Sequence, residues 1–246
     1  MKQSGKFSRF LSALDPHWQN VHPLFLFDKR FGFFWLLIFW PLFGLAFYAV
    51  EGLDASGIRT DLTPIWCPLD DYIPFCEWFL FPYLFWFIFL VGMYAYTVFF
   101  EVDLFKKLMY FTIATYTFTV IVYLLFPNMQ ELRPAEFPRD NFLTRFMAGY
   151  YEMDTNTNVL PSLHVIGAFA VQTAAWHSKR LGTPLWRTVF TVTAVLISLS
   201  TVFLKQHSIL DVFAGLLVCL PAYLLIYLLP LRKNKKKGLV TVNTNP

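Results

Sequence analysis

Six stretches of this chain hold no Asp, Glu, Lys or Arg: 33–50, 78–100, 108–130, 159–176, 188–204 and 212–231. A helix of about 20 apolar residues crosses a hydrocarbon core about 30 Å thick, and each stretch comes close to that length. Lipid offers the backbone no hydrogen bonds, so a spanning segment must satisfy its own N–H and C=O groups, which a helix does and an open strand does not. No alternating segments of roughly 10 residues suggest a barrel instead. The pattern therefore predicts an all-α fold: an integral membrane bundle of six transmembrane helices. With 57% of residues hydrophobic, 15% charged and 29 Phe in 246 residues, an ordinary soluble domain and a disordered chain are both excluded. Pro41, Pro82 and Pro221 lie inside these spans, where they are expected to kink a helix.

Charge between the spans sets the expected orientation. Fifteen of the 20 basic residues fall in the N-terminal segment, the second and fourth connections and the C-terminal tail. The remaining connections are acidic, with Glu51, Asp54, Asp70, Asp71, Glu131, Asp140 and Asp154 among their residues. By the positive-inside rule both termini are cytoplasmic and the acidic connections face outward, as expected of a plasma-membrane protein. The chain divides into a cytoplasmic segment (1–32), a six-span membrane domain (33–231) and a basic, disordered cytoplasmic tail (232–246). The leading segment is too long and polar for a cleaved signal, so the first span reads as an uncleaved anchor. The Lys cluster at 233–237 suits an anionic inner leaflet, and no nucleic-acid partner is expected. Cys67 and Cys76 share an outer connection and are compatible with a disulfide or with two free thiols.

Two polar clusters stand at span ends, where polarity is costly. Asn158-Val159-Leu160-Pro161-Ser162-Leu163-His164 opens the fourth span; Ser200, Thr201, Lys205, Gln206, His207 and Asp211 lie between the end of the fifth and the start of the sixth. The fourth span runs inward and the fifth returns outward, which brings His164 and His207 to the same face. Pro161 suits the first turn of a helix, leaving the amides of Ser162, Leu163 and His164 free to meet an anion such as phosphate. Asn158 reads as the cap of that helix. His207 and Asp211, four positions apart, share a helical face, so the carboxylate can fix the imidazole tautomer and free the other nitrogen for attack.

These residues resemble signatures of the type 2 phosphatidic acid phosphatase superfamily. Pro161-Ser162-Leu163-His164 is similar to its second signature, and Ser200, His207 and Asp211 match its third in register. Arg133-Pro134 resembles the end of the first. The likeness runs from about residue 108 to 231. Phe126 stands where that first signature has Lys, Leu163 where the second has Gly, and Thr201 where the third has Arg. The combination is similar to the branch that contains inositol phosphorylceramide synthases.

The resemblance implies a lipid phosphate phosphatase in which His207 attacks phosphorus to form a phosphohistidine, Asp211 orients it and His164 exchanges a proton with the departing alcohol. Arg133 and Lys205 are the candidate phosphate clamps, with Ser162, Ser200, Thr201 and Gln206 as further substrate-binding residues. A lipid phosphate is the implied partner, and neither cofactor nor metal is expected. Transfer to an alcohol acceptor, a non-enzymatic lipid carrier and a metal set of His164, His207 and Asp211 are the competing readings. The aromatic runs of the first two spans read as lipid-facing or packing surface that includes a lateral path for an acyl chain.

Overall fold

The computed structural model describes residues 12–18 and 28–229. The basic tail and most of the N-terminal segment lie outside these residues. The elements that position the site are α1 (Phe39–Ala55), β1 (Thr63–Pro64), α2 (Leu69–Tyr72), α3 (Leu80–Phe100), α4 (Val102–Leu125), β2 (Asn128–Met129), α5 (Phe142–Met153), α6 (Leu163–His177), α7 (Pro184–Phe203) and α8 (Ile209–Tyr223). A 3₁₀ run, Lys29–Ile38, leads into α1; the turn Glu77–Phe79 leads into α3; a π-helical turn, Leu224–Leu228, continues α8. Among the described residues, five helices are long and apolar enough to cross a membrane: Lys29–Ala55, Glu77–Phe100, Val102–Leu125, Pro184–Phe203 and Ile209–Leu228.

The expected fourth span corresponds to α6, whose 15 residues reach roughly 22 Å. It starts at Leu163 rather than near 159, because tertiary hydrogen bonds hold the preceding residues out of the helix. Asn128 Oδ1 accepts from the amides of Val159 and Leu160, Tyr123 Oη donates to the Pro161 carbonyl, and the Ser162 amide donates to the Asp211 carbonyl. Pro161, joined to Leu160 by a cis bond, therefore precedes the helix, and Ser162 is its N-cap residue. The prolines in the other spans fall where helix type changes. Pro41 and Pro82 lie in the first turns of α1 and α3, which continue 3₁₀ segments, and Pro221 lies inside α8 just before the π turn. Because each of those two helices continues a preceding 3₁₀ segment, the proline lacks an N–H that could bond back into it, and the junction is where that loss falls.

Helix α6 is the axis of the bundle, packed against α3, α4, α7 and α8. Gly167, Ala168, Ala170, Ala174 and Ala175 are buried along it, and small side chains let neighbouring backbones approach closely where lipid supplies no hydrophobic drive. Larger residues of α4, namely Phe105, Leu108, Met109 and Phe111, fill the space around it. Thr112 and Thr115 return their hydroxyl protons to the carbonyls of Leu108 and Phe111, so neither hydroxyl is left unpaired in the core.

The two ends of the bundle differ. At one, Asp15 and Trp18 bond to residues 98–102, Arg180 reaches the Ala13 carbonyl, and Lys107 lies over the Tyr227 ring. The described beginning and end of the chain thus meet the basic connections. At the other end β1 pairs in parallel with β2, Thr63 opposite Asn128, and Met129 bridges to Thr157. These short pairings lock two acidic connections together over the start of α6.

Candidate active site

His207 stands in the turn between α7 and α8. Lys205 closes that turn at a φ of 53°, and the amides of Gln206 and His207 both donate to the Thr201 carbonyl. Asp211, one turn into α8, accepts from His207 Nδ1 at 3.0 Å and from the Ser208 amide at 3.0 Å. The carboxylate partner assigns the proton to Nδ1 and leaves Nε2 available. Asp211 is fully buried, its Oδ1 has no partner, and its position within a capping box ties it to the first turn of its helix. The start of α8 is fixed from outside by Asp70, which accepts from Ser208 Oγ at 2.6 Å and from the Ile209 amide at 2.9 Å.

His164, at the beginning of α6, lies with its ring centroid 6.0 Å from that of His207. Tyr83 stacks on it at 4.5 Å and Trp86 packs on it at 4.4 Å. Its Nε2 is shut off from solvent without a hydrogen-bond partner, as is Ser162 Oγ. The two imidazoles, Gln206 and Asp154 line one cavity of about 240 Å³, whose walls include Phe43, Phe47, Tyr123 and Tyr150. A more apolar groove outside shares Trp86 and Phe87 with this cavity.

The other expected residues divide. Gln206 faces the cavity. Arg133 stands behind it: Nε and Nη2 donate to Gln206 Oε1 at 3.2 and 2.7 Å, Nη1 to the carbonyls of Tyr151 and Asp154, and Nη2 also to that of Thr155. All five guanidinium protons are engaged within the protein, and the group lies 4.5 Å over the Tyr151 ring. Held this way, Gln206 presents its amide protons forward, one to Asp154 Oδ2 at 3.0 Å. Lys205 points away, donating to the Asp70 carbonyl at 2.7 Å, and partial burial lowers its pKa from the ordinary lysine value. Ser200 and Thr201 are fully buried, each donating its hydroxyl proton to a carbonyl of its own helix, Ile197 and Ser198 respectively. The amide of Ser162, expected to be free, is occupied by Asp211. Asn158 is not a helix cap: at a φ of 53° it donates to Glu51 and Asp54, within a network that Arg59 completes.

Four residues gained roles that the linear pattern did not assign. Tyr83 and Trp86 were part of an aromatic run, yet they pack on His164. Asp70 counted only as a loop charge. Asp154 lines the cavity, and burial raises its carboxyl pKa above the ordinary value against the opposing pull of Arg133 and His207. Among the described residues no group of three His, Cys, Asp or Glu side chains is placed to hold a metal ion. Cys67 and Cys76 are free thiols here.

A helical membrane protein with paired imidazoles, one fixed by a carboxylate, has the equipment for nucleophilic transfer of a phosphorus group: one ring can attack while the other moves a proton. The PAP2 superfamily model matches residues 107–235, just over half of the chain, which therefore belongs to that superfamily. No curated protein and no solved structure matches the chain. Membership suggests phosphatase or phosphotransferase activity on lipid phosphates.

Proposed function

We propose that the protein is a membrane lipid phosphate phosphatase that works through a phosphohistidine at His207, with its site on the outer face of the plasma membrane. The observation that carries this reading is the 6.0 Å separation of two imidazoles lining one cavity, one of them bonded to Asp211. Phosphate placed between them would meet a nucleophilic nitrogen on one side and a proton carrier on the other. His207 Nε2 forms a bond to phosphorus as the bond to the alcohol oxygen breaks, and protonated His164 supplies the proton that oxygen needs. Water then displaces His207 and returns a proton to His164. An alcohol in place of water gives the phosphotransferase reaction of the inositol phosphorylceramide synthase type, which the apolar side of the cavity, Phe43, Phe47 and Phe87, favours by suiting a lipid acceptor. In this reading α6 completes a six-span bundle, and both termini lie on the cytoplasmic side with the basic connections.

The test is incubation of the purified protein with lipid phosphates, with and without alcohols. His207→Ala and His164→Ala should each abolish turnover while the protein still inserts, since a positioned general acid or base alone contributes about 10²–10⁴-fold. Wild-type turnover in either variant would refute the assignment.

A further inference from the structure

Helix α5 has two apolar faces, and the protein covers one of them. Its start is fixed by a capping box between Asn141 and Thr144, and Asn141 also donates to Glu77 Oε1 at 3.0 Å. Its end is fixed by Arg133, which donates to the carbonyls of Tyr151 and Asp154. On the inner face Met147 is buried among Leu80, Tyr83 and Leu204, and Tyr150 borders the cavity of the two imidazoles. A helix turns by about 100° per residue, so Phe142, Phe146, Gly149 and Met153 share the opposite face. Phe142 is 78% exposed, Phe146 41% and Met153 79%. Arg145 and Glu152 stand together on one flank, both exposed. Large apolar side chains repeated along one exposed face, on a helix held at both ends, mark a contact surface rather than scattered surface apolarity.

The surface that this face continues is a lipid one. Glu77, which holds the cap of α5, opens the segment Glu77–Phe100 that is long and apolar enough to cross a membrane. After it Trp78, Phe81, Phe85 and Ile88 follow at helical spacing, all exposed, and form one outward stripe of that segment. In a spanning helix such a stripe meets acyl chains, and a Trp at its end suits the headgroup level. Through the bond from Asn141 to Glu77, Phe142 begins next to the end of that stripe. We propose that α5 is an interfacial helix: Phe142, Phe146 and Met153 lie in the leaflet on the site's side of the membrane, with Arg145 and Glu152 among its headgroups. The occupant of the exposed face is the lipid surface itself. A helix of this kind lies in the membrane plane with its apolar residues about 5–10 Å into the boundary between headgroups and chains. Because the same helix carries Tyr150 and Asp154 to the cavity, this placement sets the cavity mouth at the level of the lipid headgroups. It requires the chain to span a membrane and is independent of the chemistry of the imidazoles.

The experiment places single nitroxides in the full chain, carrying Cys67→Ser and Cys76→Ser, in lipid nanodiscs that hold one copy each; Cys219 is buried and stays in place. The labelled sites are Phe142→Cys, Phe146→Cys and Met153→Cys on the exposed stripe, Glu152→Cys on the charged flank and Ile88→Cys as the lipid-facing reference. Power saturation measures collisions with oxygen, which concentrates in lipid, and with a water-soluble nickel chelate. The three stripe labels should be oxygen-rich and nickel-poor, about 5–10 Å below the phosphate level, while the label at 152 meets nickel. Nickel contact at 142 and 146 equal to that at 152 would place the face in water and overturn the proposal. Shielding of the stripe from both reagents would place protein on it and overturn the proposal equally. A nickel-exposed label at 88 would remove the spanning reading of α3 and this placement together, whereas loss of turnover in any labelled chain bears on the phosphoryl-transfer reading alone.

Discussion

Adding one methyl group at Gly167 should disable the site without touching a reacting residue. A Cβ there would lie 2.8 Å from Tyr116 Oη and 2.9 and 3.1 Å from Trp86 Nε1 and Cζ2. Ordinary contact for such atoms begins near 3.5 Å, so the rings must retreat by about 0.7 Å. Helix α6 cannot retreat instead, because its neighbours pack on it from α3, α4, α7 and α8. Trp86 rests on His164, and Tyr83 is already stacked on the same imidazole. The displacement therefore passes to His164 and changes its distance from the phosphorus atom. Misplacement approaching 1 Å costs on the order of 10²-fold in rate, whereas overpacking costs about 1–3 kcal/mol of stability. Gly167→Ala should thus lose about 10²-fold in kcat with KM little changed and with a folded, modestly destabilised protein. Trp86→Phe removes the indole nitrogen and the second ring, so the Gly167→Ala/Trp86→Phe double variant should be more active than additivity of the singles predicts. The assay is diacylglycerol or phosphate release per folded molecule, beside thermal unfolding in the same detergent. Wild-type kcat in Gly167→Ala, or strictly additive losses, would refute the coupling of α6 to His164 through Trp86.

Three further outcomes follow from the geometry. Asp70→Ala removes the acceptor for Ser208 Oγ, the Ile209 amide and the Cys67 amide, and should cost about 3–5 kcal/mol by leaving buried donors unmatched; unchanged thermal unfolding would contradict its role at the start of α8. Burial raises the Asp154 pKa in the folded state above the ordinary 3.8, so the folded chain keeps a proton that the unfolded chain has released, and stability falls as pH rises through that window. Unfolding measured from pH 4 upward should show this slope flattened in Asp154→Asn, and an identical slope would exclude the cause. Finally, a thiol introduced as Asp140→Cys should react with an impermeant reagent from outside intact cells, and one introduced as Arg180→Cys only after permeabilisation; the reverse pattern would invert the proposed orientation.

The convergence of His164 and His207 was legible in the sequence because span direction and an i,i+4 spacing are both periodic properties of residue type. The five helices long and apolar enough to cross a membrane were legible for the same reason. What escaped was set by partners that residue type does not reveal. Arg133 and Lys205 looked like clamps since both are cations near the signatures, yet their partners include backbone carbonyls at 70, 151, 154 and 155, and a carbonyl is present at every position of a chain. The late start of α6 has a similar origin, for Asn128 and Tyr123 hold 159–161 from elsewhere in the sequence.

Those hidden partners also bear on chemistry. In a cavity whose described lining holds no Lys or Arg and where Arg133 serves Gln206, the proposed phosphate would take its hydrogen bonds largely from neutral or transiently charged groups. Gln206 offers an amide N–H, the first turn of α6 offers its partial positive end, and His164 can offer a proton once an anion stands beside it. Such donors act at short range and gain strength where water is excluded, so they can stabilise the charge that builds on phosphate oxygens as the bond to the alcohol breaks. The same guanidinium that fixes the direction of Gln206 is thereby withheld from direct contact with the cavity, so its contribution to the site is the placement of that amide rather than a bond to phosphate.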